Sequence, residues 1–217
     1  MVAIPFSYLA PESYFETNVR GTLNISNSCL RNGVERLIIT STSEVYGTAE
    51  YVPIDESHPL KAQSPYSASK IAADNLALSY YNSFNLPVNI LRPFNVYGPG
   101  ESHKGRMASI ANQAMLSDKE TFKLFPGKPK RDFVYIDDVV DAIFKAIEKK
   151  GNEGKIYEIG GPKIISFGEM VKSILSTINK KRFVIEMPMA IAKIQSSITD
   201  LLPLPPVLTR DQCEILS

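Results

Sequence analysis

Tyr66 and Lys70 stand four residues apart in the stretch SPYSASKIAAD (64–74). On a helix, that spacing puts a phenol and an ammonium on one face, one turn apart. A positive neighbour favours the phenolate, so a tyrosine with an ordinary pKa near ~10 is expected to move toward the working range. Earlier in the chain the apolar run LIIT (37–40) ends in Ser41, Thr42, Ser43 and Glu44. There the Thr42 hydroxyl could bridge tyrosine and substrate. Together these groups are a general acid–base constellation. A Tyr and a Lys at this spacing are common on any helix surface. The hydroxyl-rich tip after one apolar run and the Asn95-bearing loop after the next give the pair its weight, because all three would gather at one edge of a parallel sheet.

The elements that must position these groups can be read in order. Met1 to Pro11 is apolar and proline-bounded. Glu12 to Asn32 has helical periodicity and stops at Asn32-Gly33, where glycine supplies a left-handed cap. Val34 to Thr40 is β-branched and apolar, the pattern of a buried parallel strand. Gly47 to Ser64 reads as a loop, and Pro65 to Phe84 as a helix with proline in its first turn. A second strand spans Val88 to Leu91, and the proline- and glycine-rich loop RPFNVYGPGESHKG follows it. The pattern then predicts a helix over Met107–Ser117 and strands over Thr121–Phe125 and Asp132–Ile136. A helix over Val139–Lys149, opened by Asp137-Asp138, and a strand over Lys155–Ile159 come next. Ser166 and Glu169 form a capping box for a further helix. Phe183–Glu186 reads as a last strand, and the tail from Met187 is apolar but broken by prolines. Helix, strand and a ligand-bearing strand end in this order predict an α/β fold.

Composition excludes several classes of function. The chain has 217 residues, 44% hydrophobic and 22% charged, as in an ordinary globular protein. Its 24 basic against 23 acidic residues leave a net charge of +1, which does not point to nucleic acid. Basic runs at Lys128, Lys130 and Arg131, and at Lys180, Lys181 and Arg182, read as solvated faces. Cys29, Cys213, His58 and His103 have no metal-ligand spacing. Free thiols suit a reducing compartment, so the cytoplasm is expected. No apolar stretch approaches the ~18–20 residues of a membrane span, and no signal peptide is evident.

Five stretches carry a resemblance: TNVRGT (17–22), STSEVYG (41–47), SPYSASK (64–70), RPFNVYGPG (92–100) and RDFVYIDDVVDAI (131–143). With them the chain resembles the extended short-chain dehydrogenase/reductases of the nucleotide-sugar epimerase/dehydratase group. The resemblance implies an α/β, Rossmann-type doubly wound parallel sheet that holds NAD or NADP. It implies a cofactor domain over 1–100, rejoined by 132–160, and a small C-terminal substrate-side lobe from 101–131 and 161–217. Thr42, Tyr66 and Lys70 would be the catalytic triad, with Lys70 gripping the nicotinamide ribose and Asn18, Pro93 and Val96 near the cofactor. Ser43, Asn95 and Arg131 would touch a nucleotide-sugar, Arg131 through its diphosphate, which a planar guanidinium suits. A homodimer is implied for the intact form. In such a site the Tyr66 phenolate removes a sugar hydroxyl proton while hydride leaves the same carbon, and the neighbouring C–H becomes acidic. The order Thr-Ser-Glu is similar to that of 4,6-dehydratases, where the glutamate is the base for elimination; the plainer reading of Glu44 is a turn cap.

The resemblance changes along the chain. Residues 1–91 look most like a 4,6-dehydratase, a lyase. Residues 92–140 are similar to ADP-heptose 6-epimerase, an isomerase; there Lys104 matches a second catalytic base and Arg106 replaces a small residue. From about Gly154 the chain is similar to the dehydrogenase-like accessory subunit of respiratory complex I. An epimerase, or a non-catalytic nucleotide-binding or assembly subunit, is therefore the alternative to a dehydratase, and a mosaic of paralogues is a further expectation. The family's G-x-x-G-x-x-G loop does not occur in these 217 residues. A chain lacking the first strands of the sheet, with poor cofactor binding, is expected accordingly.

Overall fold

The computed structural model describes residues 3–99, 121–124, 128 and 130–186. The helix predicted over Met107–Ser117, the tail from Met187, and Lys104 and Arg106 lie outside the described residues. The chain divides into two compact units, Met1–Phe94 with Asp137–Gly160, and Asn95–Ile136 with Gly161–Ser217.

In the first unit three strands make a parallel sheet: β1 (Leu37–Thr40), β2 (Val88–Pro93) and β6 (Ile156–Ile159), in the order β1-β2-β6. Leu37 lies opposite Val88, and Ile90 opposite Ile156. The central strand β2 is buried at all six positions, as its apolar run requires of a strand covered on both faces. β1 is shorter than predicted. The Val34 N–H donates to the Cys29 carbonyl at 3.0 Å, so Val34 closes the preceding helix instead of joining the ladder.

Helix α1 spans Ile4–Leu9 and α2 spans Pro11–Tyr14. The helix predicted over Glu12–Asn32 is interrupted by a π-helical stretch, Phe15–Arg20, before α3 (Gly21–Arg31) continues it. It stops where Gly33 takes φ +60°, the left-handed cap read from the sequence. Helix α4, Pro65–Phe84, opens on a capping box in which Ser64 accepts from the Ser67 N–H and Ser67 reciprocates, with proline in the first turn. Asn85 closes it at φ 55°. Ala73, Ala77 and Tyr80 recur at helical spacing on its buried face. Ala77 and Tyr80 pack with Leu37, Leu86 and Val88. That burial fixes how α4 lies on β1 and β2. On the alternate face of β2 and β6, helix α5 (Ile136–Glu148) bounds a cavity of about 690 Å³ with Leu91, Tyr157 and Ile159. At the opposite end of the strands from the Ser41–Glu44 tip, Arg36 donates to Asn89 at 2.9 Å, Asn152 at 2.7 Å and Glu153 at 2.7 Å.

In the second unit β3 (Asn95–Tyr97) runs parallel to β5 (Lys130–Tyr135), and β5 runs antiparallel to β7 (Ile164–Ser166). β4 (Thr121–Leu124) pairs in parallel with β8 (Phe183–Glu186). The Ser166–Glu169 capping box opens α6 (Phe167–Thr177), whose Val171 and Leu175 pack with Phe167, Ile174 and Val184. Gly161 is required by close approach: a Cβ there would lie 1.8 Å from the Phe133 carbonyl oxygen. Among the described residues no helix is long and apolar enough to cross a membrane.

Candidate active site

The first unit brings Thr42, Ser43, Glu44, Tyr66, Lys70 and Asn18 toward the carboxyl end of β1. The strand ends at Thr40, and Thr42 caps a short 3-10 turn, Ser43–Tyr46, by accepting from the Glu44 N–H at 3.2 Å. Thr42 thus caps the turn, and the Glu44 charge raises the proton affinity of Tyr66.

Tyr66 is the second residue of α4 and only 5% exposed. Its ring packs edge-on against Tyr14 at 6.0 Å. The Thr42 side chain works to lower the proton affinity of its phenol. Asn18, carried on the π-helical stretch, donates to Ser69 Oγ at 2.9 Å, and Ser69 Oγ donates to the Tyr66 carbonyl at 2.7 Å. Thus the first turn of α4 is tied from behind, and single π-helical turns are frequent at functional positions.

Lys70 Nζ donates to the Thr40 carbonyl at 2.6 Å, so the ammonium grips the end of the strand that carries Thr42. The expected depression of the Tyr66 pKa is not what the structure holds. Burial pushes the phenol up, the Thr42 side chain pulls it partly back, and the Glu44 charge adds to the rise. Burial likewise pushes the Lys70 ammonium down, opposed by the Asp74 carboxylate. Desolvation is the largest cause for each group, and the expected mutual effect of Tyr66 and Lys70 is not among the main causes of either shift.

A buried polar chain behind the site was not foreseen. Asp74, one turn beyond Lys70, accepts from Ser41 Oγ at 2.9 Å and from Arg92 Nε at 3.1 Å. Arg92 also donates to the Tyr46 hydroxyl at 2.8 Å, and Tyr46 donates to Glu158 Oε1. Burial pushes the Glu158 carboxyl up to about 7, against the Tyr46 hydrogen bond and the Arg92 charge. Arg92 and Tyr46 both lie in motifs the sequence singled out, and Asp74 follows Lys70 at helical spacing; only Glu158 had no signal. His58 is structural: its Nε2 accepts from the Glu50 N–H and its Nδ1 faces the Pro59 carbonyl.

Pro93 closes β2 in the first unit. Asn95, Val96 and Arg131 belong to the second. There Asn95 donates to the Asp132 carbonyl at 2.9 Å, and Arg131 lies over the Phe167 ring at 5.9 Å while donating to the Lys130 carbonyl. Among the described residues no group of three or more His, Cys, Asp or Glu could hold a metal ion.

A parallel sheet with a hydroxyl, a tyrosine and a lysine at its carboxyl end defines a Rossmann-type protein of the short-chain dehydrogenase/reductase class. The comparisons agree. The profile of the "NAD dependent epimerase/dehydratase family" matches residues 3–160. The chain is 35% identical over 170 residues to dTDP-glucose 4,6-dehydratase of Streptomyces griseus, covering 78% of this chain and 51% of that one. It is 34% identical over 146 residues to UDP-glucose 4-epimerase of Mycolicibacterium smegmatis, covering 66% and 46%. Among solved structures it resembles dTDP-glucose 4,6-dehydratase from Streptomyces venezuelae with NAD and TYD bound, at TM-score 0.73 and 29% identity, covering 87% of this chain and 59% of that one. The chain belongs to the NAD-dependent epimerase/dehydratase family. It spans about half the length of the curated relatives it matches.

Proposed function

We propose that this chain carries the acid–base half of a nucleotide-sugar dehydratase site, with Thr42, Tyr66 and Lys70 in the roles of hydroxyl relay, proton acceptor and ribose anchor. The observation that carries the reading is the Lys70 hold on the Thr40 carbonyl, which sets the helix of the buried Tyr66 phenol against the strand end that bears Thr42. Tyr66 sits in the first turn of α4, where the helix dipole favours a phenolate. It takes the proton from a sugar hydroxyl through, or alongside, Thr42.

The donor set fits the nicotinamide-ribose end of a dinucleotide: an ammonium, a phenol and the Asn18 region at a sheet's carboxyl edge. Bound there, NAD or NADP supplies an acceptor for hydride. Lys70 would hold the ribose, and Pro93 and Val96 would line the nicotinamide side. Glu44 would take the proton from the carbon beside an oxidised one and return it to the hydroxyl leaving the next carbon, which departs as water while a C=C bond forms. Ser43, Asn95 and Arg131 are proposed to hold the nucleotide-sugar, Arg131 at its diphosphate. Residues 1–100 with 132–160 would serve the cofactor, and the remainder the sugar. A cytoplasmic setting accords with Cys29 as a free thiol, and a homodimer is proposed for the intact form.

The test is incubation of the chain with NAD and dTDP-glucose, with mass spectrometry of the sugar nucleotide. Loss of water from the hexose supports the reading. Inversion at a sugar carbon without loss of water would instead assign the epimerase chemistry in which Lys104 takes part.

A further inference from the structure

Asp74 lies inside α4, four residues beyond Lys70 and on the same helix face. Its Oδ2 accepts from Ser41 Oγ at 2.9 Å and from Arg92 Nε at 3.1 Å. Ser41 precedes Thr42, and its N–H donates to the Leu91 carbonyl at 2.7 Å, so the tip is anchored to β2 by backbone and to α4 by side chain. Asp74, Ser41 and Arg92 are exposed by only 1%, 5% and 2%. A carboxylate and a guanidinium taken this far out of water gain little stability over an apolar pair of similar volume. What they supply is direction. Oδ2 is fixed by Arg92, and the Ser41 hydroxyl must come to it.

We propose that Asp74 is a positioning residue: held by Arg92, it sets the Ser41–Glu44 tip of β1 in register with Tyr66 and Lys70 and supplies the negative charge that Lys70 senses along the helix. The proposal rests on the acid–base reading of the site, and its test does not need turnover. Two contacts join α4 to the strand end, Lys70 to the Thr40 carbonyl and Asp74 to Ser41. The first places the ammonium, the second places Thr42. The Asp74 carboxylate opposes the effect of burial on Lys70, and it also raises the Tyr66 phenol. Glu44 and the Tyr14 phenol raise it as well.

The two roles separate in two variants. Asp74→Asn keeps an acceptor for Ser41 and removes the charge; Ser41→Ala keeps the charge and releases the tip. Lys70 is titrated by NMR after isotopic methylation of lysines, assigned with Lys70→Arg, and Tyr66 by tyrosinate absorbance against Tyr66→Phe. In Asp74→Asn the Lys70 protonation constant falls by roughly tenfold. In Ser41→Ala the Lys70 titration stays and the Tyr66 pKa rises, because the Thr42 side chain, which lowers it, is no longer set in place by the Ser41 anchor. Mere loosening of the fold would do the opposite, exposing Lys70 and raising its pKa; that result, or unchanged titrations in both variants, overturns the proposal. Should Asp74→Asn fail to fold, an unchanged Tyr66 titration in Ser41→Ala alone overturns it. Absence of any sugar chemistry would sink the dehydratase reading and leave these outcomes intact.

Discussion

Arg92 Nε meets Asp74 Oδ2 at 3.1 Å, with the two side chains 2% and 1% exposed. Removing one partner of such a pair strands the other charge away from water. Arg92→Met is expected to lower the unfolding free energy by about 3–5 kcal/mol, read from urea denaturation. The double variant Arg92→Met with Asp74→Leu should recover much of that loss, because neither charge remains. A single variant as stable as the parent would mean that the pair is already solvated.

Glu158 gives the fold a pH dependence whose sign is fixed. Its carboxyl is raised from 4.5 to about 7 in the folded chain, mainly by burial. Between those values the folded state holds a proton that the unfolded state has released. The stabilisation is therefore fully present below about pH 4.5 and is lost as pH rises through about 7, amounting to at most about 3 kcal/mol. Denaturation midpoints measured from pH 5 to pH 8 should fall for the parent and flatten in Glu158→Gln. A parent whose stability rises across that range through this residue would contradict the assignment.

Glu44 is predicted to act on Tyr66 before it acts on any sugar. Its charge raises the phenol's pKa, so Glu44→Gln should lower the Tyr66 titration midpoint, measured by tyrosinate absorbance. In an active form the same variant should lose dehydration while sugar oxidation persists as reduced nicotinamide. Unchanged dehydration in Glu44→Gln would remove Glu44 as the base of the elimination.

Local rules carried the frame of this protein further than its electrostatics. The Ser166 cap and the Gly33 stop each depend on neighbours in sequence, and each stands where the pattern put it. The π-helical stretch at Phe15–Arg20, which no periodicity encodes, broke the helix read as continuous. The Tyr66–Lys70–Thr42 set was legible as residue types at a strand end and a helix start. The sign of the Tyr66 pKa shift was not, because desolvation depends on Tyr14 and the helices stacked over it. Arg92, Asp74, Tyr46 and Glu158 come from four separate segments, and only the folded sheet brings them into one chain of hydrogen bonds.

The most direct measurement of the account is the dependence of nucleotide-sugar turnover on the Tyr66 hydroxyl. With the protein supplied with NAD and dTDP-glucose, Tyr66→Phe should cut the rate of sugar oxidation by about 10³-fold while nucleotide-sugar binding is retained. Equal rates for the two proteins would contradict the account.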